Sequence, residues 1–228
     1  MIKYADFVER YTFPEGINLS DDIKEEILSS SWEYLITLPN IEDIICCIQD
    51  LLEDSEYSIS EENIEIIAKS IIECRRKQIA DYKNSPEYKP SRLTAAFKEL
   101  RENNVLALEN FSCCGTCASS EAYDLMYEEE EWFAYIYFHQ QDTEILVEDG
   151  RTYLGYECKW TKICSEEDYD AMAEEERHGV YLNECKKLAD EILKPTFNKH
   201  GIEFTWNYDL GTRMHISNAD FFADIEDE

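Results

Sequence analysis

Three cysteines fall within five residues in the stretch Asn110-Phe111-Ser112-Cys113-Cys114-Gly115-Thr116-Cys117. Gly115 lets the backbone turn sharply, so Cys114 and Cys117 in a C-x2-C arrangement can face one point. Thiolates so placed suit tetrahedral zinc, bonded at about 2.3 Å. Further ligands must come from elsewhere. His139 and Asp142, in His139-Gln140-Gln141-Asp142, are the leading candidates, with Cys113 as a substitute ligand and Cys158 and Cys164 as others. The expected metal set is therefore Cys114, Cys117, His139 and Asp142, and the implied ion is zinc. Adjacent Cys113 and Cys114 are expected to point in different directions. The same turn supports a reactive-thiol reading. If residues 119–126 are helical, Cys117 lies near the helix start, where backbone N–H groups favour a thiolate, and His139 could serve as its base. Packing of small buried thiols in a tight turn is the competing structural explanation.

The surrounding sequence offers little other chemistry. There is no G-x-x-x-x-G-K-S/T loop, no G-x-G-x-x-G and no G-x-S-x-G, so no catalytic residue is assigned. Acidic residues number 51 against 21 Lys plus Arg, a formal net charge of −30. A chain so charged repels phosphate backbones and anionic membranes, and associates fastest with basic partners. Direct nucleic-acid binding is not expected. Two acidic–aromatic runs are the candidate partner surface: Tyr127, Glu128, Glu129, Glu130, Glu131 and Trp132, and then Glu166, Glu167, Asp168 and Tyr169. From these the sequence predicts a non-enzymatic, immunity-like binding or inhibitor protein for a basic protein partner. The alternatives are the zinc or reactive-thiol protein centred on the cysteine turn and His139, and a nucleic-acid mimic with carboxylates along one ridge.

The elements that must position these residues are legible in outline. Residues 1–84 read as helical. Ser20 and the pair Asp22/Glu25 are candidate caps, followed by Ile23, Ile27, Leu28, Trp32 and Leu35 at helical spacing. A second stripe runs from Ile41 to Leu52, and a third from Ile64 to Ile79. Residues 85–90 hold two prolines and read as a linker. From 91 to 228 the expected domain is mixed. Ser91 caps a helix through Leu93, Phe97 and Leu100, and Val105–Leu108 starts a strand. The run from Trp132 to His139 is apolar on both faces, as a strand covered on both sides should be. Asp142-Thr143 is expected to cap one short helical turn, and Arg151–Tyr156 reads as the next strand. Residues 159–178 read as an exposed acidic insertion, then a long helix ends near Lys199. A hairpin of 202–206 and 212–216 closes the domain. The fold class is thus α+β: a helical N-terminal segment, then a mixed α/β domain with a small, largely antiparallel sheet packed by helices.

Two further expectations follow. No basic n-region precedes an apolar run at the start, and no window approaches the ~18 apolar residues of a membrane span. A cytoplasmic location is expected, with the nine cysteines mostly reduced.

Residues 93–216 also resemble an uncharacterised bacterial domain-of-unknown-function family. The resemblance is carried by NF-x-CC-x-x-C at Asn110–Cys117, by H-x-QD-T at His139–Thr143, and by Gly201–Trp206 followed by a strand with Arg213. It implies a domain type, and it couples the cysteine turn to the His–Asp segment in one pattern.

Overall fold

Serine caps punctuate the chain. Ser20, Ser60 and Ser91 accept from the backbone N–H groups of Ile23, Asn63 and Thr94 at 3.4, 3.3 and 3.1 Å. Each satisfies an N–H that the first helical turn leaves open. The computed structural model describes residues 2–37, 40–53, 57 and 59–222. It divides into two compact units, one running from the N-terminus through Lys89 and including Phe222, the other Pro90–Phe221.

The first unit holds α1 (Tyr4–Val8), α2 (Asp21–Leu35), α3 (Ile41–Glu53) and α4 (Glu61–Lys83). Its apolar stripes face inward as their spacing requires. Phe7, Ile27, Leu35, Ile44, Ile48, Ile67 and Ile71 are fully buried, each contributing about 1.5–3 kcal/mol by leaving water. Arg75 of α4 is buried among them. Its guanidinium lies 4.9 Å from the Trp32 ring centre, and Nη1 donates to Gln78 Oε1 at 2.9 Å.

The second unit runs α5 (Arg92–Glu102), β1 (Val105–Leu108), α6 (Gly115–Glu128), β2 (Ala134–Tyr137), α7 (Gln140–Asp149) and β3 (Thr152–Cys158). It continues with α8 (Trp160–Ile163), α9 (Glu166–Ala171), α10 (Glu174–Lys187), α11 (Lys194–Lys199), β4 (Glu203–Thr205) and β5 (Met214–Ser217). The sheet order is β1-β2-β3-β5-β4. β1 and β2 are parallel and joined through α6; the other pairs are antiparallel. This is the expected α+β architecture. β2 is buried at every position. Tyr135 and Tyr137 pack with Ala118, Ala122 and Met126 of α6. On the other side Phe138 meets Phe97 edge to face at 5.7 Å.

Two local expectations change. The segment after His139 forms a ten-residue helix rather than one short turn, closed by Gly150 in the left-handed region (φ 69°). The long C-terminal helix is interrupted between α10 and α11 by a π-helical turn, Leu188–Leu193. Pro195 has no N–H to return to the preceding turn, so the helical ladder there must adjust. The acidic stretch 159–178 is largely helical, in α8, α9 and the start of α10. Among the described residues, no helix is long and apolar enough to cross a membrane.

Candidate functional site: a three-thiol turn

The cysteine turn sits where two parallel strands end. Beyond β1 and β2 the ladder continues in single bonds: Phe138 N–H to Leu108 O at 3.3 Å, Phe111 N–H to Phe138 O at 2.9 Å, and Gln140 N–H to Ser112 O at 3.1 Å. These place the turn before α6 beside the turn before α7, at the carboxyl ends of the strands, where open sheets gather ligands. Asn110 and Ser112 take positive φ (51° and 60°), and Thr143 Oγ1 donates to Asn110 Oδ1 at 2.6 Å. The couple of segments expected from the sequence is therefore a direct contact.

At the start of α6 the cap position is taken by Cys114, extended at φ −153°. A sulfur stands where serine stands in α2, α4 and α5. The ligand atoms of Cys113, Cys114 and Cys117 all lie within 4.8 Å of one another. Cys113 is exposed, and Cys114 and Cys117 are half-buried. Cys113 and Cys114, expected to diverge, converge instead, and the first turn of α6 returns Cys117 to the same side. No cap hydrogen bond closes to the Cys114 sulfur by ordinary limits. The backbone N–H of Cys117 nonetheless faces it, followed by the Cys117 thiol and the N–H of Thr116, and these pull the Cys114 thiol below its usual range. Cys117 moves the other way, to about 11, because it donates to the Cys113 and Cys114 sulfurs. One thiol of the trio is thus prepared to carry negative charge while another is held protonated.

Tyr137 fastens the turn to the sheet. Its hydroxyl donates to Gly115 O at 3.0 Å and pairs with Ser119 Oγ at 2.7 Å. His139 lies against the same glycine: a Cβ at Gly115 would sit 3.5 Å from His139 Nε2. The imidazole does not join the thiols. Its Nε2 faces Asp142 Oδ2 at 3.1 Å. Asp142 also accepts from Arg213 Nη1 at 3.3 Å and, through Oδ2, from Nη2. Burial depresses the His139 pKa, opposed by Asp142 and assisted by Arg213. A neutral ring donating from Nε2 leaves Nδ1 as a bare acceptor, and that atom is buried with no partner among the described residues. No thiol reaches it, so the His139-as-base arrangement for a cysteine nucleophile is not formed here. Cys158, another candidate ligand, pairs with Cys185, sulfur to sulfur at 3.8 Å. Cys164 lies apart from the thiol trio, in the wall of a cavity described next.

The partner-surface residues divide. Glu128, Glu129, Glu130, Glu131, Glu166, Glu167 and Asp168 are exposed. Trp132 instead packs against the α6 core. Tyr127, Glu166 and Tyr169 line one cavity of about 510 Å³ with Tyr123 and Trp160. The sequence reading missed the last two, although Tyr123 and Tyr127 are four apart on α6 and share a face. A smaller cavity of about 230 Å³ adjoins the thiol turn through Ser119 and Tyr137 and includes Glu157 and Arg213. Burial raises the Glu157 carboxyl there, eased by the Tyr135 hydroxyl.

A family model described as a domain of unknown function (DUF6891) matches residues 18–222. The chain belongs to the DUF6891 family. The DUF6891 match spans both units, including most of the helical one, which the sequence resemblance did not reach. No curated protein and no solved structure matches the chain.

Proposed function

We propose that this is a thiol-dependent protein whose Cys113–Cys114–Cys117 turn holds one thiophilic metal ion, zinc or copper(I). The observation that carries the reading is the mutual approach of three ligand sulfurs within 4.8 Å. Tetrahedral zinc with bonds of about 2.3 Å needs sulfurs about 3.8 Å apart, so a small inward adjustment would bring the three sulfurs to three corners of the tetrahedron. The N–H groups at the start of α6 offset part of the thiolate charge. His139 supports the reading from one step away, since a ligating histidine commonly gives its other nitrogen to a carboxylate, as Nε2 here faces Asp142. Three thiolates leave a fourth position for solvent, substrate or a shifted imidazole. Elemental analysis of untagged protein purified without chelator tests this. One ion per chain is expected, lost in Cys113→Ser, Cys114→Ser and Cys117→Ser. A wild-type protein that takes up no zinc or copper(I) on dialysis, with all three thiols free to titrate, overturns it.

A second reading rests on the opposed thiols of Cys114-Gly115-Thr116-Cys117 at a helix start. A lowered first thiol and a raised second one suit thiol–disulfide exchange. The Cys114 thiolate would attack a partner disulfide, releasing one partner thiolate. Cys117, on losing its proton, would then displace the other, leaving a Cys114–Cys117 disulfide and a reduced partner. Metal-free protein that forms this disulfide reversibly against a glutathione buffer favours the exchange reading over the metal reading.

A further inference from the structure

Away from the thiols, α6, α8 and α9 flank the half-open cavity of about 510 Å³ with four aromatic side chains and one carboxylate in its wall: Tyr123, Tyr127, Trp160, Tyr169 and Glu166. The rings are mutually braced. Tyr123 and Tyr127 lie 4.5 Å apart, Trp160 meets Tyr169 edge to face at 4.8 Å, and Trp160 stacks on Tyr181 at 5.1 Å. Aromatic faces carry negative potential, and several converging rings attract a desolvated cation. We propose that this cavity binds a lysine or arginine side chain presented by a basic polypeptide, independently of the thiol site.

The chain already uses these rings for cations. Lys159 Nζ lies 4.9 Å from the Tyr127 centre and the Arg177 guanidinium 4.1 Å from that of Tyr169. Neither lines the cavity. Lys159 is held inside by Met126 O and Glu129 O at 2.8 and 3.0 Å, and Arg177 Nε by Tyr169 O at 2.9 Å. Among the described residues no internal cation lies over Trp160 or Tyr123, so the strongest ring for the purpose is not committed to one.

Charge complementarity selects a polypeptide over a free small ammonium ion. Exposed Glu128–Glu131 follow Tyr127 in the chain, and exposed Glu166, Glu167, Asp168 and Asp170 flank Tyr169 in the sequence, Glu166 in the cavity wall. The Lys159 bond to Glu129 O ties the first acidic run to the residue beside Trp160. A single small cation would engage Glu166 and leave the rest unused. A chain with several basic residues would insert one into the box and meet the others outside.

The test is titration of a short capped peptide with several lysines and arginines into the intact protein at about 50 mM salt, where exposed charges still act over some 10 Å, read by tryptophan fluorescence and calorimetry. Saturable binding is expected, at least about tenfold weaker in Trp160→Leu, partly kept in Trp160→Phe, and weakened in Glu166→Gln. Thr161→Trp, which fills the cavity from an exposed position of its wall, should block binding if Trp160→Leu does not fold. Three results overturn the proposal: no binding of the peptide; binding that all the cavity variants leave unchanged, which assigns it to diffuse surface charge; or binding of tetramethylammonium ion that the peptide does not displace.

Discussion

Gly155 and Tyr137 are cross-strand partners on β3 and β2, and the glycine leaves the space in which the tyrosine ring lies. A Cβ at Gly155 would stand 2.2 Å from Tyr137 Cζ. The ring cannot give way freely, because its hydroxyl is bonded to Gly115 O and Ser119 Oγ. A missing side chain on one strand thereby fixes the cysteine turn above the next.

Gly155→Ala should accordingly destabilise the fold by about 1–3 kcal/mol, the usual cost of overpacking, and reduce the metal uptake proposed for the thiol turn. Tyr137→Phe keeps the ring and loses the hydroxyl bonds, costing about 1 kcal/mol. Denaturant unfolding with elemental analysis checks both. A Gly155→Ala protein with unchanged stability and full uptake would show that Tyr137 does not transmit the constraint.

The thiols should separate by reactivity. Cys114 is lowered by the N–H of Cys117, while Cys117 is raised from 9.0 to about 11. At pH about 7.5, iodoacetamide should modify metal-free protein at Cys114 first. The thiolate fraction of Cys117 should lie well below that of an unperturbed thiol, because its proton is held by the Cys113 and Cys114 sulfurs. Peptide mass spectrometry at timed quenches reads the order. Equal rates at the two positions would remove the support for an exchange role.

His139 makes stability depend on pH in a defined window. Its folded pKa lies below the ordinary 6.5 because of burial, with Asp142 opposing. The unfolded chain then takes up the proton first, so stability is fully present above about 6.5 and declines as pH falls towards the folded value. The slope should reach at most about 1.4 kcal/mol per pH unit. His139→Gln should flatten that segment. Glu99, lowered by Lys199 and His200, acts in a separate window beneath 4.5, where its stabilisation is lost as pH falls. Unfolding curves between about pH 3 and 8 distinguish the two, and an unaltered slope above about pH 5 in His139→Gln would contradict the assignment.

The legible parts of this fold are those written locally. Ser20 and Ser91 precede apolar stripes and cap the helices. The uninterrupted apolar run around Ala134–Tyr137 is a strand buried on both faces. The C-x2-C spacing marked the turn that gathers the thiols. What the sequence concealed depends on distant partners. His139 and Asp142 were natural ligand candidates until Arg213, 71 residues beyond Asp142, engaged that carboxylate. The extent of α7 was obscured because only Thr143, Leu146 and Val147 of its ten residues are buried, too weak a stripe to read. The aromatic cavity joins Tyr123 and Tyr127 to Trp160 and Tyr169 from a different helix pair, and no local pattern encodes that meeting.

The last prediction concerns Arg75, whose side chain is fully buried in the helical unit. Nη1 has its bond to Gln78, but Nε and Nη2 have no hydrogen-bond partner among the described residues. Burial pulls its pKa down from 12.5 to about 10. For a base, a lowered folded value means that the charged form is disfavoured by folding, and this penalty is present throughout neutral pH. The stacking on Trp32 offsets part of it. A well-packed apolar replacement should win, as it often does where buried charge is imperfectly paired. Arg75→Met should therefore raise stability by about 1–2 kcal/mol in denaturant unfolding, after the loss of the Gln78 bond is included. Arg75→Lys should not, because the ammonium would carry its charge into the same site without the planar contact to the indole. A fall in the midpoint of Arg75→Met would contradict this, showing that the Trp32 contact and the Gln78 bond outweigh the cost of burying the charge.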